Sequence, residues 1–186
     1  QAARTQLSRI LKFWGHNMAE TLKPIGKDAS GYEILREAMK DLLNQFPGLL
    51  PDETVKFEDL ESESGIAMSD NSGALVYTEK VYVSGSREQT CRYPFYLVYR
   101  AAGSAKERQK MSIQEFLEMF GNWLCKEDAV IDGETYRLTS YPELSGGRKI
   151  TRITRDNSYG TEPQENGVQD WVLPVTVEYS NYIKAT

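Results

Sequence analysis

The hydrophobic positions in the first quarter of the chain follow helical spacing. Residues 7–22 carry one apolar stripe, and a second stripe runs from Tyr32 to Phe46, directly before Pro47-Gly48. Because proline and glycine commonly end helices, the pattern predicts two helices that form an N-terminal helical hairpin.

From Thr54 onward, the pattern changes to the alternation that is typical of strands. Three alternating segments, TVKFEDL, ALVYTEKVYV and CRYPFYLVYRA, are separated by the turn-forming clusters SDNSG and SGS. Near the C-terminus, RKITRITR follows an SGG turn, and WVLPVTVEYSNYI is the last alternating segment. Consecutive strands with short connections predict a largely antiparallel sheet.

A third helix is predicted between the two groups of strands. Ser112 and Glu115 fit a capping box directly before an apolar run, which predicts a helix over residues 112–126, and the preceding AAGSAKERQK is predicted to be a polar loop. The order of elements predicts an α+β fold, in which a largely antiparallel sheet is flanked by helices. We expect one domain over residues 1–186, with a helical extension over 1–30 and a core over 31–183.

The segment CRYPFYLVYRA has two faces of different character. Alternate residues from Cys91 to Tyr99 are apolar or aromatic and predict a face that packs in the core. The other face is too apolar for bare solvent and too charged for a core, and it carries Arg92, Pro94, Tyr96 and Arg100. Because Pro94 has no N–H to donate, it predicts an edge strand or a bulge. The protein's own helix or another subunit is expected to cover this second face.

The net charge of −5 is concentrated in the segment PDETVKFEDLESES. One lysine stands there against six acidic residues, which are Asp52, Glu53, Glu58, Asp59, Glu61 and Glu63. A dedicated nucleic-acid-binding protein is expected to show a basic patch or stripe instead. No apolar run approaches the ~20 residues of a membrane span, and the start does not resemble a signal peptide, so we expect no membrane partner.

The sequence offers no recognisable catalytic constellation. His16 is the one imidazole, and no serine or cysteine lies in a G-x-S-x-G context. The pair Glu58/Asp59 belongs to an acidic run that is more typical of a solvated loop than of a Mg²⁺ site. Residues 145–149, SGGRK, are followed by a strand pattern and not by a helix, which predicts a hairpin turn and not a phosphate-binding loop. We expect no enzymatic activity, cofactor or metal. Buried free thiols are the expected state of Cys91 and Cys125, and a disulfide between them is the alternative if the fold brings them close.

The order and spacing of these segments carry a family resemblance over residues 31–183. A helix ending in FP precedes an acidic strand with SGIAM, and the SGS hairpin, YPFYLVYR, EFLEMFGNWL and LPVTVEYSNYI follow. This arrangement resembles the phage tail terminator proteins, which are often labelled minor capsid or head–tail joining proteins in prophages of Gram-positive bacteria.

The resemblance implies a structural virion protein that assembles with copies of itself as a hexameric ring. Such a ring caps the tail tube protein, joins the tail to the head–neck connector, and lets DNA pass through its lumen without reading the sequence. The implied location is the tail or neck of the virion, and the host cytoplasm during assembly. In a head-to-tail ring, the side with Arg92 and Arg100 is expected to meet the acidic segment of the next subunit. The alternative is a soluble α+β module that binds a small ligand or nucleotide with its sheet face.

Overall fold

The computed structural model describes residues 32–60, 64–71, 74–102 and 107–185. The predicted helix over residues 7–22, and with it the first half of the N-terminal hairpin and the extension over 1–30, lies outside the described residues. The described part contains the helices α1 (Tyr32–Leu43) and α2 (Glu107–Leu124). Its strands are β1 (Val55–Phe57), β2 (Gly65–Asp70), β3 (Leu75–Val81), β4 (Arg87–Ala101), β5 (Ala129–Ile131), β6 (Glu134–Tyr136), β7 (Arg148–Arg155), β8 (Tyr159–Gly160) and β9 (Gln169–Ile183).

Seven of these strands form one sheet in the order β1-β2-β4-β9-β7. Strand β3 continues beside β4 where β2 ends, and β8 continues beside β9 where β7 ends. Only the short pairing of β1 with β2 is parallel, and β5 pairs with β6 in a separate hairpin. The two central strands are 15 residues each and pair over their full length, from Arg87 opposite Ile183 to Ala101 opposite Gln169. The prediction of an α+β fold with a largely antiparallel sheet is confirmed.

Both described helices pack against the same face of the sheet. On β4 this face carries the buried Cys91, Tyr93, Phe95 and Leu97 together with the half-buried Tyr99, so the predicted core face is confirmed. Phe46, just after α1, stacks on Phe120 of α2 with ring centroids 4.1 Å apart. Stacked aromatic contacts of this kind bury large apolar area, and this one joins the segment after α1 to helix α2.

Helix α2 begins earlier than its sequence predicts. It starts at Glu107, so the end of the expected polar loop AAGSAKERQK is helical and Ser112 lies inside the helix. The hydroxyl of Ser112 donates to the carbonyl oxygen of Arg108 at 3.0 Å and therefore does not cap the helix. Glu, Arg, Gln and Lys are all good helix formers, so the segment ERQK extends the helix without contributing to its apolar stripe.

The prediction that Pro94 lies on an edge strand or at a bulge is wrong, because its strand β4 is central in the sheet. On β9, the carbonyl oxygen of Pro174 accepts a hydrogen bond from the N–H of Asp156, so the backbone of Pro174 faces away from β4. Pro174 lies opposite Tyr96, and the alternation of antiparallel pairs then turns the backbone nitrogen of Pro94 away from β9 as well. On that side of β4, the pairing with β2 ends at Phe95 and the pairing with β3 begins at Arg92. Pro94 therefore lies in the gap between β2 and β3. Neither proline therefore removes a hydrogen bond from the sheet.

Two smaller predictions are confirmed. Gly146 and Gly147 have positive φ angles of 73° and 77°, and an isolated bridge joins Glu143 to Lys149 across them, so SGGRK is part of a hairpin turn. Cys91 and Cys125 are both free thiols.

Candidate interaction surfaces

The acidic segment forms a concave surface at the β1 edge of the sheet. Asp52, Glu53 and Asp59 line one cavity of about 370 Å³, together with Lys56 and Tyr99. Burial and the neighbouring Glu53 carboxylate raise the pKa of the Tyr99 phenol. The structure thus brings three of the six predicted acidic residues around one opening. We call this surface, with the exposed Glu58 beside it, the acidic edge.

Of the other three acidic residues of the segment, only Glu58 lies within the described residues. Glu58 has a positive φ angle of 52°, and its N–H donates to the carbonyl oxygen of Met68 at 2.9 Å, which fixes the turn after β1. Glu61 and Glu63 lie outside the described residues. The side chain of Asn44 closes the outer side of β1: its Oδ1 accepts from the N–H of Val55 at 2.8 Å, and its Nδ2 donates to the carbonyl oxygen of Val55 at 3.2 Å. The acidic edge therefore presents carboxylates and not an open strand backbone.

The two arginines of the second face form ion pairs within the chain. Arg92 contacts Glu178 at 2.9 Å, and Arg100 makes two hydrogen bonds to Asp170, of 2.7 and 2.8 Å. The Arg92 guanidinium also lies 3.8 Å from the ring centroid of Tyr77. Because each arginine already has a carboxylate across the β4–β9 ladder, the expected contact with the acidic segment of another subunit gains no support from this geometry and stays a prediction.

The second face is half-buried at Arg92, Pro94, Tyr96 and Arg100, but Val98 on the same face is buried, as is Ala67 opposite it on β2. Pro94 lies opposite Thr176, and Tyr96 lies between Ser69 of β2 and Pro174 of β9. Since both helices of the described part pack on the first face, neither covers this one. The expectation that a helix or another subunit covers the second face stays a prediction.

Strand β7 provides a basic surface on the opposite edge of the sheet. Its eight residues, RKITRITR, include four basic and no acidic side chains. Lys149 and Arg152 are exposed, and Arg148 is half-buried. Lys126, Arg148 and Lys149 line a cavity of about 500 Å³ together with Glu143, and the Lys126 ammonium lies 4.1 Å from the ring centroid of Tyr141. We call the surface formed by Arg148, Lys149 and Arg152 the basic edge. Sequence reasoning missed it, although the composition of RKITRITR alone was a usable signal.

The fourth basic residue of β7, Arg155, turns toward helix α2. Its guanidinium contacts Glu118 at 2.5 Å and donates to Asn122 at 2.7 Å. A Cβ atom at Gly121 would overlap Cδ of Arg155, so the glycine lets this side chain cross the helix. Burial alone would raise the pKa of Glu118, but hydrogen bonds from Ser158 and the charge of Arg155 outweigh it and lower that pKa from its ordinary value of 4.5.

Strand β3 is exposed along its whole length, although its alternating pattern is typical of a half-buried strand. The exposed apolar residues at this end of the sheet belong to β3, to the β3–β4 turn and to the end of β9; they are Leu75, Val76, Tyr77, Val81, Val83, Tyr182 and Ile183. We call this projection the β3 arm. Large exposed apolar patches on soluble proteins mark contact sites for other macromolecules.

The described residues hold no group of three or more His, Cys, Asp or Glu side chains arranged to bind a metal ion. None of the described helices has the length and hydropathy needed to cross a membrane. Comparison of the chain with protein-family models and with curated proteins finds no match.

Proposed function

We propose that this chain is a structural virion protein, a tail terminator whose ring caps the phage tail tube and joins it to the head–neck connector. The resemblance of residues 31–183 to that family supplies the identity of the partners. The α+β sheet with helices on one face agrees with the fold that the resemblance implies. The proposal treats the protein as a component of an assembly, with the tail tube protein and further copies of itself as partners.

The observation that carries the proposal is the β3 arm. A strand whose seven residues are all exposed gains little from burial within its own chain, although it contains four large apolar residues, Leu75, Val76, Tyr77 and Val81. Among the described strands, only β4 pairs with β3, which leaves its other backbone edge without a strand partner from this part of the chain, and proteins usually blunt such edges. Burial against another subunit or the tail tube gives these residues the stabilisation that the single chain lacks.

The test combines the purified chain with the tail tube protein of the same phage genome. Light scattering and native mass spectrometry of the chain alone, and electron microscopy of growing tubes, measure assembly directly. We expect a closed ring and tubes that stop growing at one end. A chain that stays monomeric and leaves tube length unchanged would contradict the proposal.

A variant of the arm sharpens this test. Val81→Ser with Val83→Ser removes apolar surface that the monomer mostly exposes, so the free energy of unfolding should change by less than ~0.5 kcal/mol while capping weakens. Val130→Ser, at an exposed valine on β5, is the matched control and should leave capping unchanged. Equal capping by the arm variant and the control would show that the β3 arm does not contact the tail tube or another subunit.

The alternative is an α+β module that binds a small ligand or nucleotide with its sheet face, and the acidic edge gives nucleotide binding no support. The cavity there carries three carboxylates against one lysine and would repel phosphate groups. Thermal unfolding with and without nucleotides separates the two functions, because a ligand that binds only the folded chain raises the unfolding temperature.

A further inference from the structure

The acidic edge and the basic edge lie on opposite sides of the same sheet. Strand β1 begins the order β1-β2-β4-β9-β7 and β7 ends it. The described acidic edge holds four carboxylates and Lys56, and β7 holds basic side chains without a carboxylate. A molecule with opposite charges on two opposite edges is complementary to a second copy of itself in a head-to-tail arrangement, which closes into a ring when the rotation between copies allows.

We propose that the basic edge of one copy docks on the acidic edge of the next and forms the contact that closes the ring. The inference rests on the proposed function, because it assigns the interface between subunits of the same ring. In this proposal, Lys149 and Arg152 are the basic residues that contact the next subunit, where the sequence analysis expected Arg92 and Arg100. The occupant of each edge is therefore another copy of this chain.

The pairing of charges within the chain supports this choice. Arg92, Arg100 and Arg155 each contact a carboxylate of their own chain. Within the described residues, no ion pair joins Lys149 or Arg152 to a carboxylate, and both side chains are exposed. Partner carboxylates for these two residues would come from the next copy.

The strand edges support a contact through side chains. Asn44 occupies the outer backbone groups of Val55 on β1, and the bridge from Glu143 to Lys149 occupies part of the outer side of β7. A further strand therefore cannot simply add to either edge along its full length. The cavity of about 370 Å³ is instead large enough to accept a single lysine or arginine side chain, whose stem would lie on Ile66 and Tyr99 and whose charge would face Asp52 and Asp59.

Two charge-reversal variants test the contact. The first carries Asp52→Lys and Asp59→Lys and has two basic edges, and the second carries Lys149→Glu and Arg152→Glu and has two acidic edges. All four side chains are exposed, so both variants should fold. Each variant alone should assemble at least ~tenfold more weakly than the natural chain by light scattering. An equimolar mixture should recover the ring, because alternating copies are complementary at every junction.

The control carries Lys40→Glu and Lys184→Glu, which change two exposed lysines elsewhere and should leave assembly intact. A measurement without any variant is carbodiimide cross-linking of the natural ring, in which Lys149 should link to Asp52, Glu53, Glu58 or Asp59 of a neighbour.

The outcomes separate the two proposals. If the natural chain forms rings but the reversed variants assemble normally, if the mixture fails to recover, or if the cross-link is missing, the edge contact is wrong while the tail terminator function stands. If the natural chain forms no ring alone or on tail tubes, both proposals fail.

Discussion

At the scale of single residues, Glu118 connects helix α2 to the strands behind it. One of its oxygens accepts from the N–H and the hydroxyl of Ser158, at 3.1 and 2.8 Å, and the other contacts Arg155 at 2.5 Å. Ser158 is buried, so its backbone N–H needs such a partner. Gly121 makes the approach of Arg155 possible, which gives the glycine in FGNWL a packing role that its sequence context does not show.

The lowered pKa of Glu118 predicts a dependence of stability on pH. A carboxyl whose pKa is lower in the folded than in the unfolded chain contributes stability above its ordinary value of 4.5, and this contribution is lost as the pH falls below that value. Glu118→Gln should lower the free energy of unfolding by ~1 kcal/mol at neutral pH. It should also make the acid-induced loss of stability shallower, as measured by urea unfolding between pH 7 and 3. Glu115→Gln, an exposed position on the same helix, should change neither quantity.

At the scale of elements, the two central strands tolerate proline because of where their neighbours end. Pro94 faces the break between β2 and β3, and Pro174 faces the break between β7 and β8. In each strand the missing N–H points to a place where no ladder hydrogen bond is formed. Proline is excluded from the interior of a sheet by its missing donor, and these positions need no donor.

This arrangement predicts that the position of proline matters more than its presence. Pro94→Ala should change the free energy of unfolding by less than ~1 kcal/mol, because no ladder bond is gained. Tyr96→Pro, two residues further on, places the missing N–H against β2 opposite Ser69 and should cost ~1–3 kcal/mol. Tyr96→Ala controls for the lost ring. Equal unfolding midpoints for Tyr96→Pro and Tyr96→Ala would contradict the assigned direction of the β4 backbone.

At the scale of the whole molecule, the sheet separates the charges of the chain. Its β1 side is acidic and its β7 side is basic, while the ion pairs of Arg92 and Arg100 neutralise the second face between them. The net charge of −5 therefore understates the electrostatic asymmetry of the molecule.

Salt should act differently on assembly and on folding. Raising the ionic strength from 0.15 to 1 M shortens the Debye length from ~8 to ~3 Å, which screens the exposed edge charges more than the half-buried pairs. We expect the ring to dissociate more readily, by light scattering, while the urea midpoint of the dissociated chain measured in the same buffers shifts little. A ring unaffected by salt would indicate that apolar surface, such as the β3 arm, dominates the contact.

The sequence by itself determined the α+β class, the bounds of β7 and the buried face of β4. These features depend on local patterns, because alternate side chains of a strand point to opposite faces whatever its neighbours are. RKITRITR matches β7 residue for residue, and the core face of CRYPFYLVYRA is buried from Cys91 to Leu97. The helix over 7–22 remains a prediction outside the described residues.

Only the tertiary structure decided which charges meet and which remain on the surface. Arg92 and Glu178 are 86 residues apart in the chain, and Arg100 and Asp170 are 70 apart, so their pairing follows from the β4–β9 register and from no local pattern. The same holds for the exposure of β3, which alternates like a half-buried strand but is exposed at all seven residues. The acidic and basic edges lie on opposite sides because of the strand order. Long-range pairing sets that order, and the spacing of residues along the chain does not reveal it.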